Sequence, residues 1–154
     1  NGRKWGEETM FKSQITHNLD DKGRVVLPTK FREKLGDGAV ITKGFDGCLT
    51  IYTKDGWDSY INGLLSNPMG ISEVRRTIRS LTGNACDLEI DKQGRIKVPD
   101  YLISAAGINK EVTFVGIGSM IEVWATERWL KEQEVDDAEF EANAEKLSRG
   151  MYNV

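Results

Sequence analysis

The sequence predicts an α+β fold, mainly β, in which two copies of one unit share a core under a pseudo-two-fold axis. Paired or interleaved hairpins are expected to form a compact β-barrel with helices outside. Three observations predict this. Residues 19–28, Leu-Asp-Asp-Lys-Gly-Arg-Val-Val-Leu-Pro, return as residues 90–99, Ile-Asp-Lys-Gln-Gly-Arg-Ile-Lys-Val-Pro. Asp20 and Asp91, Arg24 and Arg95, and Pro28 and Pro99 are each 71 residues apart. Each copy places Gly, which supplies the positive φ of a tight turn, before an alternating β-branched run that ends in Pro. It reads as strand, polar turn, strand. Finally, a piece of roughly 45 residues buries too little surface to stand alone, and the duplication supplies its partner in cis.

Taken in order, residues 1–9 carry no periodic pattern, and Met10 has the look of a start. They are read as a tag remnant or leader and left out of fold reasoning. Residues 10–65 make the first half. Residues 13–19 and 25–27 are the strands of its first hairpin, and Thr29 caps a short helix that ends at Gly36. Residues 39–43 and 48–52 flank the Asp46-Gly47 turn as a second hairpin. Trp57, Tyr60, Ile61, Leu64 and Leu65 recur at the spacing of one helix face. Residues 66–84 connect the halves, with Ile71, Val74, Ile78 and Leu81 on one helical face and Arg75, Arg76 and Arg79 on another. Residues 85–130 repeat the pattern: Asp100 stands where Thr29 stood, and Gly107 matches Gly36. One extra residue follows, so Gly44 and Gly116, Tyr52 and Trp124, and Trp57 and Trp129 sit 72 apart. Residues 131–154 form an acidic tail in which Phe140, Ala144, Leu147 and Met151 keep helical spacing.

Composition narrows the function. The chain has 154 residues, 39% hydrophobic and 29% charged, with a net charge of −3. No apolar run approaches the roughly 18 residues of a membrane span. Cys48 and Cys86 form neither a disulfide framework nor a zinc spacing, so a reducing, cytoplasmic setting is expected, with no cofactor, metal or small-molecule substrate. The charge is unevenly placed. Residues 10–34 hold six bases against three acids, whereas residues 127–154 hold eight acids against four bases.

A single His, no Gly-x-Ser-x-Gly and no phosphate-cradling loop leave little for catalysis. Asp20, Asp21 and Asp91 lie beside Lys and Arg, which favours ion pairing over acid–base work or Mg²⁺ binding. The turns therefore carry two readings. Asp and Arg four apart can form a charge-assisted pair that stiffens the turn. Alternatively Arg meets DNA, at a phosphate or at guanine in a major groove wide enough for a two-stranded ribbon. DNA contact is favoured for Lys22 and Arg24, which share Gly23's turn within the basic segment that also holds Lys12. For Lys92 and Arg95 both readings stay open. His17 is read as a packing residue, Cys48 and Cys86 as small core residues, and Trp57 and Trp129, which begin equivalent helices, as core anchors. Arg75, Arg76 and Arg79 are read as a solvated or subunit-facing surface, and the acidic tail as solvated.

The residues also carry a resemblance. Met10-Phe11, the run from Asp20 to Arg24, Pro28 to Arg32, residues 44–49 (Gly-Phe-Asp-Gly-Cys-Leu), Asp91 to Arg95 and Ile121 to Trp124 resemble the MraZ family. Each half resembles an AbrB-like (SpoVT-AbrB) half-domain, so the fold implied is a duplicated double-hairpin barrel. The family pattern departs at the long acidic tail and at Lys12-Ser13, where Gly is frequent. The resemblance implies a nucleoid-associated bacterial transcriptional regulator that binds double-stranded DNA. It also implies a homo-oligomeric ring of about eight to twelve subunits, bound to short promoter repeats upstream of its own division and cell wall gene cluster. On this reading Lys12, Asp20, Lys22, Gly23, Arg24, Asp91, Lys92 and Arg95 form the DNA site. The competing expectation is a ring-forming structural or interaction protein without specific DNA binding.

Overall fold

In a computed structural model, which describes residues 10–150, neither strand that leads into a repeated turn pairs with the strand that leaves it. Strand β1 (Gln14–Asn18) runs antiparallel to β7 (Glu111–Gly116), with His17 opposite Val112. Strand β5 (Cys86–Glu89) runs antiparallel to β3 (Gly38–Lys43), with Leu88 opposite Ala39. Strands β2 (Arg24–Val26) and β6 (Arg95–Lys97) pair with each other across the repeat. The local pairing expected of the first hairpins is thus corrected, and of the two expected arrangements the strands take the interleaved one. A turn constrains its own few residues, and the chain leaving it is free to ladder with the other half.

Strands β4 (Leu49–Thr53) and β8 (Met120–Ala125) complete the second hairpins, β3–β4 and β7–β8, as expected. The large sheet then runs β1-β7-β8-β4-β3-β5, and the small one is β2-β6. Its order is that of an open six-stranded ladder with β1 and β5 at its ends. The fold is mixed α+β with antiparallel pairing throughout.

The register makes the pseudo-symmetry quantitative. Val25 faces Ile96 at the centre of β2·β6, and these two are themselves repeat equivalents, 71 apart. Across β4·β8, Leu49 faces Val123 and Ile51 faces Ile121, pairs that exchange under an offset of 72. Strands β3 and β7 behave differently. His17 opposite Val112 and Leu88 opposite Ala39 make Ala39 and Val112 equivalent, an offset of 73. The Gly44–Gly116 landmark is therefore displaced by one, because the loop joining β7 to β8 is one residue shorter than the loop joining β3 to β4.

The helices follow the predicted periodicity, with changes at their ends. Helices α1 (Thr29–Leu35) and α4 (Asp100–Ala105) begin after Pro28 and Pro99, which occupy the caps with no side-chain hydrogen bond. Thr29 and Asp100 are the first helical residues, not the caps. Proline's fixed φ starts each helix without a capping side chain. Helix α2 (Lys54–Leu65) is capped by Thr53, whose Oγ accepts from Gly56 N–H at 2.8 Å. Trp57 is only half-buried and packs on Tyr52, so of the two expected anchors Trp129 alone is fully in the core. Helix α3 (Ser72–Gly83) buries Ile78 and Leu81 as its periodicity predicts. Helix α5 (Thr126–Ser148) runs unbroken for 23 residues, and beyond Gln133 its residues are exposed. Met151 and residues 1–9 lie outside the described residues. No described helix is long and apolar enough to cross a membrane.

Both halves feed one core: Val25, Leu27, Phe31, Ile41 and Ile51 pack with Ile96, Val98, Leu102, Phe114 and Ile121. Each buried aliphatic contributes roughly 1.5–3 kcal/mol relative to exposure. Ser13, one of the two residues at which the resemblance finds Gly frequent, has φ 84, a left-handed backbone that costs a residue with a Cβ roughly 1–2 kcal/mol.

Interleaving makes each half depend on the other. Residues 10–84 produced alone are expected to show no cooperative unfolding transition as a monomer. Any folded form should appear only as a dimer whose stability rises with concentration, as circular dichroism melts at several concentrations will test. A concentration-independent cooperative melt would contradict cross-half pairing.

Candidate nucleic-acid interface

The repeated turns are built alike from local chemistry. In the first, Asp20 N–H donates to the Arg24 carbonyl at 2.8 Å, and Gly23 N–H donates to the Asp20 carbonyl at 3.2 Å. The second repeats both contacts, from Asp91 to Arg95 at 3.0 Å and from Gly94 to Asp91 at 2.9 Å. Gly23 and Gly94 both have φ 79, a conformation that glycine adopts without steric cost. Asp20 Oδ1 accepts from the backbone N–H of Lys22 and of Arg24, each at 2.9 Å, and Oδ2 accepts from Arg24 Nε at 2.9 Å. Asp91 does the same with Gln93 N–H at 2.9 Å, Arg95 N–H at 2.8 Å and Arg95 Nε at 2.8 Å. The backbone N–H of the arginine, followed by its guanidinium and the other turn N–H, holds each carboxyl below the usual Asp range.

Each turn is then fastened to the opposite half. Leu27 N–H donates to the Gly94 carbonyl at 2.9 Å, and Val98 N–H donates to the Gly23 carbonyl at 2.8 Å. These bonds extend the β2·β6 ladder to both turns. Arg24 lies opposite Lys97, and Val26 opposite Arg95, while Val25 and Ile96 between them are buried. Successive residues alternate sides of a ribbon. Arg24, Val26, Arg95 and Lys97 therefore share the outward face, with a turn at each end. His17 braces one edge: its Nδ1 lies 2.6 Å from the Val26 carbonyl, and its ring meets Phe114 edge-on. It is a packing residue, as expected.

The structure thus brings Asp20, Lys22, Gly23, Arg24, Asp91, Lys92 and Arg95 onto one ribbon and its turns. Asp20 and Asp91 act by holding their arginines. Lys12 is not brought to the ribbon: it precedes β1, eight residues before Asp20, and its backbone packs against Gly116. Arg75 is also accounted for, because its Nη1 donates to the Met69 and Gly70 carbonyls at 3.0 Å, closing the turn before α3.

Two residues were missed. Lys97 looks like one more polar position of an alternating strand, and only the cross-half register sets it opposite Arg24. Arg32 belongs to α1, yet one Nη of its guanidinium reaches the space beside Gly94 that a Cβ would occupy, so a side chain there would displace it. The basic segment of the first half thus delivers a cation to the second turn. No local pattern signals either placement.

The ribbon also borders a groove of about 420 Å³ whose lining includes Arg24, Arg95 and Lys97 with Asp87 and Glu89 of β5. The groove therefore sets the β5 carboxylates beside the cations of the ribbon. Each guanidinium meets its aspartate through Nε. Among the described residues, neither Arg24 Nη donates to a protein acceptor, and Arg95 Nη2 reaches only Gln93 Oε1 at 3.4 Å. Such a group is pre-oriented, with donors left over.

These features define an internally duplicated α+β protein that presents two arginine-bearing turns on one cross-half ribbon. The family model described as "MraZ protein, putative antitoxin-like" matches the chain twice, over residues 10–79 and 81–149, one match to each repeat. A transcriptional regulator MraZ of Caldanaerobacter subterraneus subsp. tengcongensis is 40% identical over 138 residues, covering 90% of this chain and 96% of its own. Proteins of the same name are 43% identical in Lachnoclostridium phytofermentans, over 78% of this chain and 84% of that one, and 40% identical in Clostridium acetobutylicum, over 90% and 97%. The chain belongs to the MraZ family.

A depressed carboxyl pKa contributes stability that is present above the unfolded value and lost as pH falls through the folded one. Asp20→Asn is therefore expected to lower the thermal midpoint at pH 7. The gap to the unmodified protein should close as pH drops below about 4, as melts over a pH series will show. A gap independent of pH would mean that the Asp20 charge does not hold the turn.

Proposed function

We propose that the protein is a sequence-specific, DNA-binding transcriptional regulator that acts in the cytoplasm at the nucleoid. The outward face of β2·β6 carries the reading. Two arginines of fixed orientation, with Lys97 opposite Arg24 and Lys22 and Lys92 in the turns, occupy a two-stranded ribbon of the kind a major groove admits. Arg24 and Arg95 have the donors to bridge guanine O6 and N7, and Lys22 and Lys92 suit phosphate contacts, which position without specifying. Aspartate buttressing removes the entropy cost of ordering each arginine when DNA arrives. The names of the relatives agree with a regulatory role.

One ribbon spans only a few base pairs, too little contact for tight, specific binding. Helix α5 exposes Leu130, Val135, Phe140 and Leu147, between 48% and 67% accessible, and such a helix needs a cover. A homo-oligomeric ring of about eight to twelve subunits supplies that cover and repeats the ribbon at fixed spacing. The operator is then an array of short direct repeats near one helical turn apart, in the promoter of the division and cell wall gene cluster that includes its own gene. Avidity across such an array adds roughly 10²- to 10⁴-fold.

Mobility shifts with the DNA upstream of the protein's own gene test this. Arg24→Ala is expected to abolish the shift, because every subunit loses the same contact. The logarithm of affinity should fall with the logarithm of salt at a slope of roughly −0.9 per phosphate neutralised, steeper than the about −2 of a single ribbon. An operator with three or four repeats should bind far more tightly than one repeat. Equal binding would rule out the array, and salt-independent binding would rule out this surface.

A further inference from the structure

The two turns have the same backbone and the same Asp–Arg pair, but their surroundings differ. Beside Gly23 of the first turn stand the Val98 carbonyl, the Ile103 side chain and, 3.9 Å from where a Cβ would be, the Asp100 carboxylate. Beside Gly94 of the second turn stands the Arg32 guanidinium. Arg32 and Ile103 are repeat equivalents, 71 residues apart. The interleaved fold thus places a carboxylate and an aliphatic group at one turn and a third cation at the other. Arg32 is half-buried, and among the described residues no carboxylate pairs with it or with Lys92.

We infer that Arg32, Lys92 and Arg95 form a composite site for a DNA backbone phosphate at the second turn, and that the two turns divide their labour. The second anchors the backbone by charge, while the first, with Asp100 nearby to weaken its hold on phosphate, contributes base contact through Arg24. A half-buried guanidinium packed against a glycine, with no carboxylate partner among the described residues, is already partly ordered and keeps donors free, which suits the planar, forked recognition of a phosphate. The charge comes from the other half of the chain, so the site exists only when the repeat has interleaved.

The inference rests on the DNA-binding reading, and a double-mutant cycle separates the two. Arg32→Ala is expected to weaken binding to all duplexes alike and to reduce the salt slope by about one per engaged subunit. Arg32→Lys should recover most of the slope. In a Lys92→Ala background the loss from Arg32→Ala should shrink by about threefold or more, whereas in a Lys22→Ala background it should stay in full. Thermal midpoint and sedimentation should match the unmodified protein; if Arg32→Ala melts early, Arg32→Gln takes its place in the cycle. If the unmodified protein fails to shift promoter DNA, the DNA-binding reading itself fails. If it shifts DNA, but Arg32 has no effect, or couples to Lys22, or adds independently to both lysines, the composite site is wrong and the DNA-binding reading stands.

Discussion

The structure depends on the short ladder between β2 and β6. It has three residues on each side, yet it joins the halves at their shared axis. Val25 and Ile96 meet there with 1% of their surface exposed, sealing the core from below while their neighbours face outward. The cross-half bonds from Leu27 to Gly94 and from Val98 to Gly23 lock each turn to the far repeat. Loss of this ladder would open the core and detach both turns together. Fold stability and the geometry of the candidate site are therefore one constraint, which explains why so small a ribbon can hold two arginines in fixed relation.

Pairing across the repeat also settles which strands sit beside which. With β2 and β6 committed to each other, β1 and β5 are free to add to the opposite hairpins, and they do so at β7 and β3. Local pairing would have closed two small sheets, each exposing an apolar face. The interleaved arrangement merges those faces into one core. The same exchange carries Arg32 away from its own turn and onto Gly94, so turns of one backbone, already different in charge at Asp21-Lys22 and Lys92-Gln93, diverge further.

Much of this was legible in the sequence, for a definite reason. The turn chemistry is local: Asp20, Gly23 and Arg24, and their copies, must fall at fixed offsets, and any reader of offsets finds them. The hairpin around Asp46-Gly47 and the buried Ile78 and Leu81 of α3 appear where the period predicts, whereas the stripe of α2 is at most half-buried and leaves Leu65 exposed. Pairing partners are different, because an alternating strand buries the same residues whether its neighbour is 10 or 100 positions away; β1 and β2 gave no sign of choosing β7 and β6. For the same reason Lys97 and Arg32 were passed over. Thr29 and Asp100 were misread as caps because Pro28 and Pro99, fixed in φ, take that place without a side-chain bond. Trp57 was misread because a helical stripe shows which face is apolar but not how deeply it is covered.

The central claim is that the two turns and the ribbon between them act as one nucleic-acid surface. Hydrogen–deuterium exchange of the whole protein, with and without a duplex from upstream of its own gene, tests it most directly. The account predicts that DNA slows exchange together in peptides covering residues 20–27 and 91–98, while residues 72–83 of α3 are unaffected. Protection confined to α3 or to α5, with both turns unchanged, would contradict it.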